Sequence, residues 1–146
     1  MKRTLFLICI AALAVFFMSS CEKPYCDQVS HSYHGFQEET GFSMHIDFYY
    51  DTSRPVWVRT GKLYHSVPQE VDEEYLICRY TDDGFELCDQ KTGQVRYSAT
   101  NLDNGNPVSK ILIKWSHSPG PIWDKYAEAN NWPREMVLFW GIPREG

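Results

Sequence analysis

Cys26, His31 and His34 place one thiol and two imidazoles in a Cys-x4-His-x2-His spacing. Those are the ligand types that zinc takes. The spacing matches no standard zinc site and no fourth ligand lies near it, so the segment reads as a solvated stretch and no metal is assigned. Asn101-Leu102-Asp103-Asn104-Gly105-Asn106 is rich in oxygen ligands, as a calcium loop is. Gly105 stands fifth where a ligand belongs, and Leu112 stands twelfth where a Glu should close the site, so the stretch reads as a polar turn. Ser116-His117-Ser118 sets hydroxyls beside an imidazole. A dyad needs approach in space and an orienting acid, and no Gly-x-Ser-x-Gly elbow is present. A fold that gathers two of His45, His65 and His117 with an acid would still make a His-based hydrolase site. The acids Glu38-Glu39, Asp72-Glu73-Glu74 and Asp82-Asp83 read as solvated charge at loops and strand entries. No catalytic residue and no cofactor is assigned, and the chain reads as non-enzymatic.

Five Trp and nine Tyr are many for a chain of 146 residues. Exposed rings of this kind stack on sugar faces, and Trp57, Tyr64, Trp123 and Trp132 are the candidates for ligand stacking. The competing role is core. Trp115, Phe139 and Trp140 fall at core-facing strand positions, and Trp123 with Tyr126 forms the buried stripe of a short helix.

The elements that would carry these residues are mainly strands. Phe42 to Tyr50 alternates apolar and polar residues throughout, the mark of a half-buried strand. Val56 to Thr60 follows a turn at 51–55, Gly61-Lys62 signals another turn, and Leu63 to Val67 is closed by Pro68. Residues 74–100 form a three-strand meander, Glu74–Tyr80, Phe85–Asp89 and Gln94–Ala99, turning at Asp82-Asp83-Gly84 and Lys91-Thr92-Gly93. A three-residue loop with Gly84 in the left-handed position sets Thr81 opposite Phe85. That register puts Tyr75, Ile77, Phe85, Leu87, Val95, Tyr97 and Ala99 on the core face. It also puts Cys78 directly across from Cys88, close enough for a disulfide. Lys110 to Trp115 is a further strand. A helix starts after Gly120-Pro121, with Trp123, Tyr126, Ala127 and Asn130 along one stripe, and Pro133 bounds it. Glu135 to Ile142 closes the chain as a strand apolar on both faces. The sum is a mainly β, antiparallel sandwich or small barrel of about seven to eight strands, with one short helix near the C-terminus. The order, a meander followed by a helix and a last strand, resembles a lipocalin-type barrel in topology, without the Gly-x-Trp of that family's first strand. The likeness implies a carrier of a small apolar ligand, as an alternative function.

At the N-terminus, Lys2 and Arg3 precede an uncharged apolar run from Leu5 to Met18, followed by Ser19-Ser20-Cys21. The pattern is that of a secretory signal peptide. The run is too short, at about 1.5 Å per residue, for the ~30 Å hydrocarbon core. Met18-Ser19-Ser20-Cys21 resembles the lipobox of bacterial lipoproteins, of a Bacteroides-like group. The likeness implies cleavage before Cys21 and acylation of its thiol by chains such as palmitate. It also implies a protein anchored in the membrane lipid of the cell envelope, with Glu22 favouring the outer membrane. The domains are then a signal peptide (1–20), a lipid-anchored tether (21–35) and one mainly β domain (36–146). Cleavage removes Lys2 and Arg3 and leaves 12 basic against 19 acidic residues, a net charge of −7. Such a domain lacks the basic footprint that nucleic acid requires. The reading as a whole is a non-enzymatic binding or structural module at the membrane surface, with a glycan or an envelope protein as partner.

Overall fold

A computed structural model describes residues 29–64 and 67–141 of this chain. Eight strands follow one another as β1 (Val29–Gln37), β2 (Phe42–Tyr49), β3 (Val56–Tyr64), β4 (Val67–Thr81), β5 (Gly84–Cys88), β6 (Val95–Asn101), β7 (Lys110–Lys114) and β8 (Glu135–Gly141). Helix α1 (Pro121–Asn130) lies between β7 and β8. Each strand pairs antiparallel with the next, and β8 returns to β1 through Ser32↔Gly141, Tyr33↔Trp140 and His34↔Phe139. The closure of β8 on β1 decides for the barrel over the sandwich. Among the described residues, no helix is long and apolar enough to cross a membrane.

An eight-stranded barrel is just wide enough for side chains to fill. Phe42, Met44, Ile46, Val58, Leu87, Tyr97, Ile111, Ile113 and Leu138 occupy the interior, all of them fully buried. They come from alternate positions of six strands, so the period-2 pattern of the sequence supplies the packing directly.

Three expectations about the elements are corrected. First, residues 29–35 are not tether but the greater part of β1, paired on both sides. The polar character that suggested a linker belongs to its outward positions. Second, Gly61-Lys62 is not a turn. β3 runs through it to Tyr64, and β4 begins at Val67 and extends for 15 residues. Third, the β4–β5 loop has two residues, with Thr81 opposite Gly84. The positive-φ glycines are Gly41 and Gly93, whereas Gly84 is a strand residue. A Cβ at position 84 would overlap the carbonyl of Ala99 on β6, so only glycine lets the two strands meet there. The shift of one residue exchanges the faces of β4. Leu76 turns inward, while Tyr75 and Ile77 are exposed, and Val95 on β6 is exposed as well. Cys78 now faces Leu87, Cys88 faces Ile77, and both cysteines are free thiols instead of a disulfide.

Candidate functional site

The two ends of the barrel differ. At one end α1 closes the interior. Trp115, Trp123 and Trp132 surround Phe42 at ring-centroid distances of 5.7, 5.6 and 5.2 Å. The indole Nε1 of Trp132 donates to the carbonyl of Thr40 at 3.0 Å. Trp123 and Trp132 are 4% and 7% exposed. Both pack into the core, and what remains accessible of them lines a groove of about 430 Å³ with Asp124, Ala127, Glu128, Asn131 and Arg134. The guanidinium of Arg134 stands 4.8 Å over the Trp123 ring.

The acids of β4 hold that end in place. Glu70, Asp72 and Glu74 alternate along one face, opposite Lys62, Thr60 and Val58 of β3. Asp72 is buried and accepts from the backbone N–H groups of Ile122 (3.0 Å) and Trp123 (2.8 Å) at the start of α1. It thus acts as a cap delivered from a distant strand. Glu74 accepts from Arg96 Nε at 2.9 Å and from the Tyr97 hydroxyl, and His117 Nε2 lies 3.1 Å from it. Burial pushes the Glu74 carboxyl up, but these three partners outweigh it and hold its pKa below the ordinary value. Burial together with the Glu74 charge drives the Tyr97 phenol upward. For Asp72 and Glu74 the reading as solvated charge is therefore corrected, whereas Glu73 is exposed. Glu70, Asp72 and Glu74 at i, i+2 and i+4 were the available signal, since period-2 acids on a strand share one face.

Among the described residues, His45 and His117 each face a different carboxylate. His45 Nε2 lies 2.7 Å from Asp47 Oδ1, and the Ser32 hydroxyl donates to the same oxygen at 2.5 Å. The carboxylate thus sits between hydroxyl and imidazole, whereas a nucleophile requires the imidazole in the middle. Burial raises the Asp47 carboxyl, and its bonds to His45 and Ser32 more than reverse that. His117 serves Glu74, and Ser118 turns away to Asp124 at 2.6 Å. His31 and His34 stand on opposite faces of β1: His31 stacks on Phe48 at 4.7 Å and His34 on His45 at 6.3 Å. They cannot share a metal ion with Cys26, which lies outside the described residues together with Cys21, His65 and the Tyr64 side chain. Among the described residues, no three His, Cys, Asp or Glu side chains converge on a metal position. The Asp103 carboxylate accepts from the N–H groups of Gly105, Ser109 and Lys110, so the 101–106 loop is organised by its own backbone.

The opposite end is open. β4 continues past Leu76, the last residue paired with β3, as far as Thr81, and the 50–55 loop arches beside it. The notch between them is a cavity of about 290 Å³. Phe48, Tyr49, Val56 and Ile77 give it apolar walls. Beneath Phe48, Tyr33 and Phe85 close the interior at 6.1 and 5.3 Å, and the Tyr33 hydroxyl donates to the Val108 carbonyl at 2.8 Å. Tyr50 and Tyr80 also line the cavity, and they are 72% and 73% exposed. The polar groups are Ser30, His31, Thr52, Arg54 and Cys78. Ser30 Oγ lies 2.6 Å from His31 Nδ1. The Arg54 guanidinium stacks on Tyr49 at 4.1 Å. Burial pushes the Cys78 thiol up to about 11 and draws His31 down from its ordinary value. Sequence reasoning missed this site because its lining comes from β1, β2, β3, β4 and a loop, with no linear motif. Of the four nominated aromatics, Trp57 lies on the outer face of β3, half-buried, with Arg59 over its ring at 5.2 Å, away from the cavity.

Compared with known proteins, the chain matches no family model, no curated protein and no solved structure.

Proposed function

We propose that this chain is a non-enzymatic binding module of the bacterial cell envelope, held on the outer membrane by acyl chains on Cys21, and that it takes its ligand at the open mouth of the barrel. One observation carries the reading: the two most exposed tyrosines among the described residues, Tyr50 and Tyr80, both line the same aromatic-walled cavity. Exposed large rings beside a pocket mark binding surfaces, because leaving them in water costs free energy that a ligand recovers. The alternative of a lipocalin-like carrier fits the same barrel, with the ligand at the mouth, since the interior is packed.

The test has two arms. Screening the full chain against glycans and small aromatic compounds should find ligands whose binding is lost in the Tyr50→Ser/Tyr80→Ser double variant; equal binding by that variant would overturn the mouth reading. Cys21→Ala should move the protein out of the membrane fraction, and retention there would contradict the lipid anchor. A hydrolase has one geometric point in its favour, the Ser30–His31 contact at the mouth. Ester turnover that disappears with Ser30→Ala would establish it in place of the binding role.

A further inference from the structure

Because each strand reverses the one before it, every second connection of the barrel falls at the mouth. These are the 50–55 loop, the 82–83 turn and the 102–109 loop, and β1 enters at the same end with Val29. Tyr50 opens the first loop, Tyr80 stands near the end of β4, and Leu102 opens the third connection. All three are exposed, and among the described residues no other large hydrophobic side chain is as exposed as the two tyrosines. The charge of this end is acidic. Its connections carry Asp51, Asp82, Asp83 and Asp103 against Arg54, Lys110 opens β7, and Arg79 is paired with Glu86 at 3.4 Å. The end therefore offers apolar tips without the basic footprint that draws a protein to anionic lipid.

Cys21 precedes Val29 by eight residues, which at no more than about 3.6 Å each reach roughly 29 Å. β1 itself, nine residues at about 3.3 Å, runs roughly 26 Å from the mouth toward the α1 end. A fully stretched joining segment would be used up in running back along β1, so acyl chains on Cys21 hold the mouth, and not α1, against the bilayer. We propose that the mouth end seats on the membrane to which Cys21 anchors the chain, with Tyr50, Tyr80 and Leu102 in the headgroup layer of a zwitterionic lipid surface. The proposal rests on the acyl anchor and on the binding reading above, and it names lipid as the ligand of the mouth. Tyrosine suits this layer, because its ring enters the apolar boundary while its hydroxyl stays at headgroup level. The seat also supplies a second attachment beside the acyl group, and one chain alone binds a membrane only marginally.

The experiment is hydroxyl-radical footprinting, read by peptide mass spectrometry, of the acylated full chain in phosphatidylcholine nanodiscs and of its Cys21→Ala variant without lipid. We expect oxidation of Tyr50, Tyr80 and Leu102 to fall by roughly threefold or more in the discs, with Phe36, exposed near the α1 end of β1, unchanged. The Tyr50→Ser/Tyr80→Ser variant in discs should lose most of the protection at Leu102. Replacing part of the lipid with phosphatidylglycerol should weaken the protection, because the end is acidic. Equal oxidation at the mouth with and without lipid, on a chain that does enter the discs, overturns the membrane seat and leaves the anchor standing; a glycan or aromatic ligand whose binding the tyrosine variant loses would then keep the mouth reading alive. Protection of Leu102 that persists in the tyrosine variant overturns the seat as well, since the short link to Cys21 would account for it alone. Protection that grows with phosphatidylglycerol overturns the zwitterionic class. A chain that does not enter the discs takes the anchor and the seat down together.

Discussion

Glu74 shows how a residue that looks like surface charge becomes a structural centre. Its carboxylate is nearly buried and meets Arg96, Tyr97 and His117, which come from two other parts of the barrel. Removing the negative charge leaves those donors short of an acceptor inside the protein. Glu74→Gln should therefore lower stability by roughly 2–4 kcal/mol, measured by urea unfolding at neutral pH. A loss below about 0.5 kcal/mol would mean that the network is not formed. The mouth histidine makes a prediction of opposite chemistry. Burial lowers the pKa of His31, and burial with the charge of His45 lowers that of His34. Below about pH 6.5 the unfolded chain takes up protons that the folded one refuses, so stability falls as pH drops from 7 toward 5. The depressed carboxyls of Glu74 and Asp47 act only at lower pH, so they do not mask this window. His31→Gln should shrink the stability difference between pH 7.5 and 5.5. An unchanged difference would show that His31 titrates normally.

At the scale of elements, β4 decides the arrangement. One end of this strand carries Asp72 under the start of α1, and the other rises past β3 to form a wall of the mouth. The helix needs that support. Gly120 provides no side-chain cap, and a Cβ there would collide with Asp72. At the far end of α1 Asn131 is left-handed, with its N–H on Glu128 O and the Trp132 N–H on Ala127 O, so the C-terminus is closed locally while the N-terminus depends on β4. Asp72→Ala should cost about 1–2 kcal/mol and increase amide exchange in the first turn of α1. Exchange unchanged at Ile122 and Trp123 would contradict the cap. β2 and β7 were legible from alternation, because one-sided burial writes itself as period 2, whereas β8 was legible only as an apolar run, and its Val137 and Phe139 are exposed instead of covered. The face of β4 was not legible. Leu76, Cys78 and Tyr80 alternate with Tyr75, Ile77 and Arg79, so both phases are partly apolar, and only the length of the turn chooses between them. The acidic start of β4 was equally opaque, since its partners are 22 to 55 residues away in sequence.

For the molecule as a whole, the packed axis and the open mouth divide stability from binding. Ile111 is fully buried in that axis, and Ile111→Ala should destabilise the fold by roughly 2–5 kcal/mol while leaving the affinity of any mouth ligand within about twofold, measured on the folded fraction. A matching loss of affinity would mean that the mouth is not a separate unit. Local pattern alone determined the mainly β class, the antiparallel order and the late helix, because hydrophobic periodicity and turn residues act over a few residues. Tertiary structure alone decided closure into a barrel, the inward face of β4, the partners of Asp72 and Glu74, and the cavity between β4 and the 50–55 loop. Each of these depends on strand register and on contacts between residues far apart in the chain, and a shift of one position, invisible in composition, exchanges inside for outside.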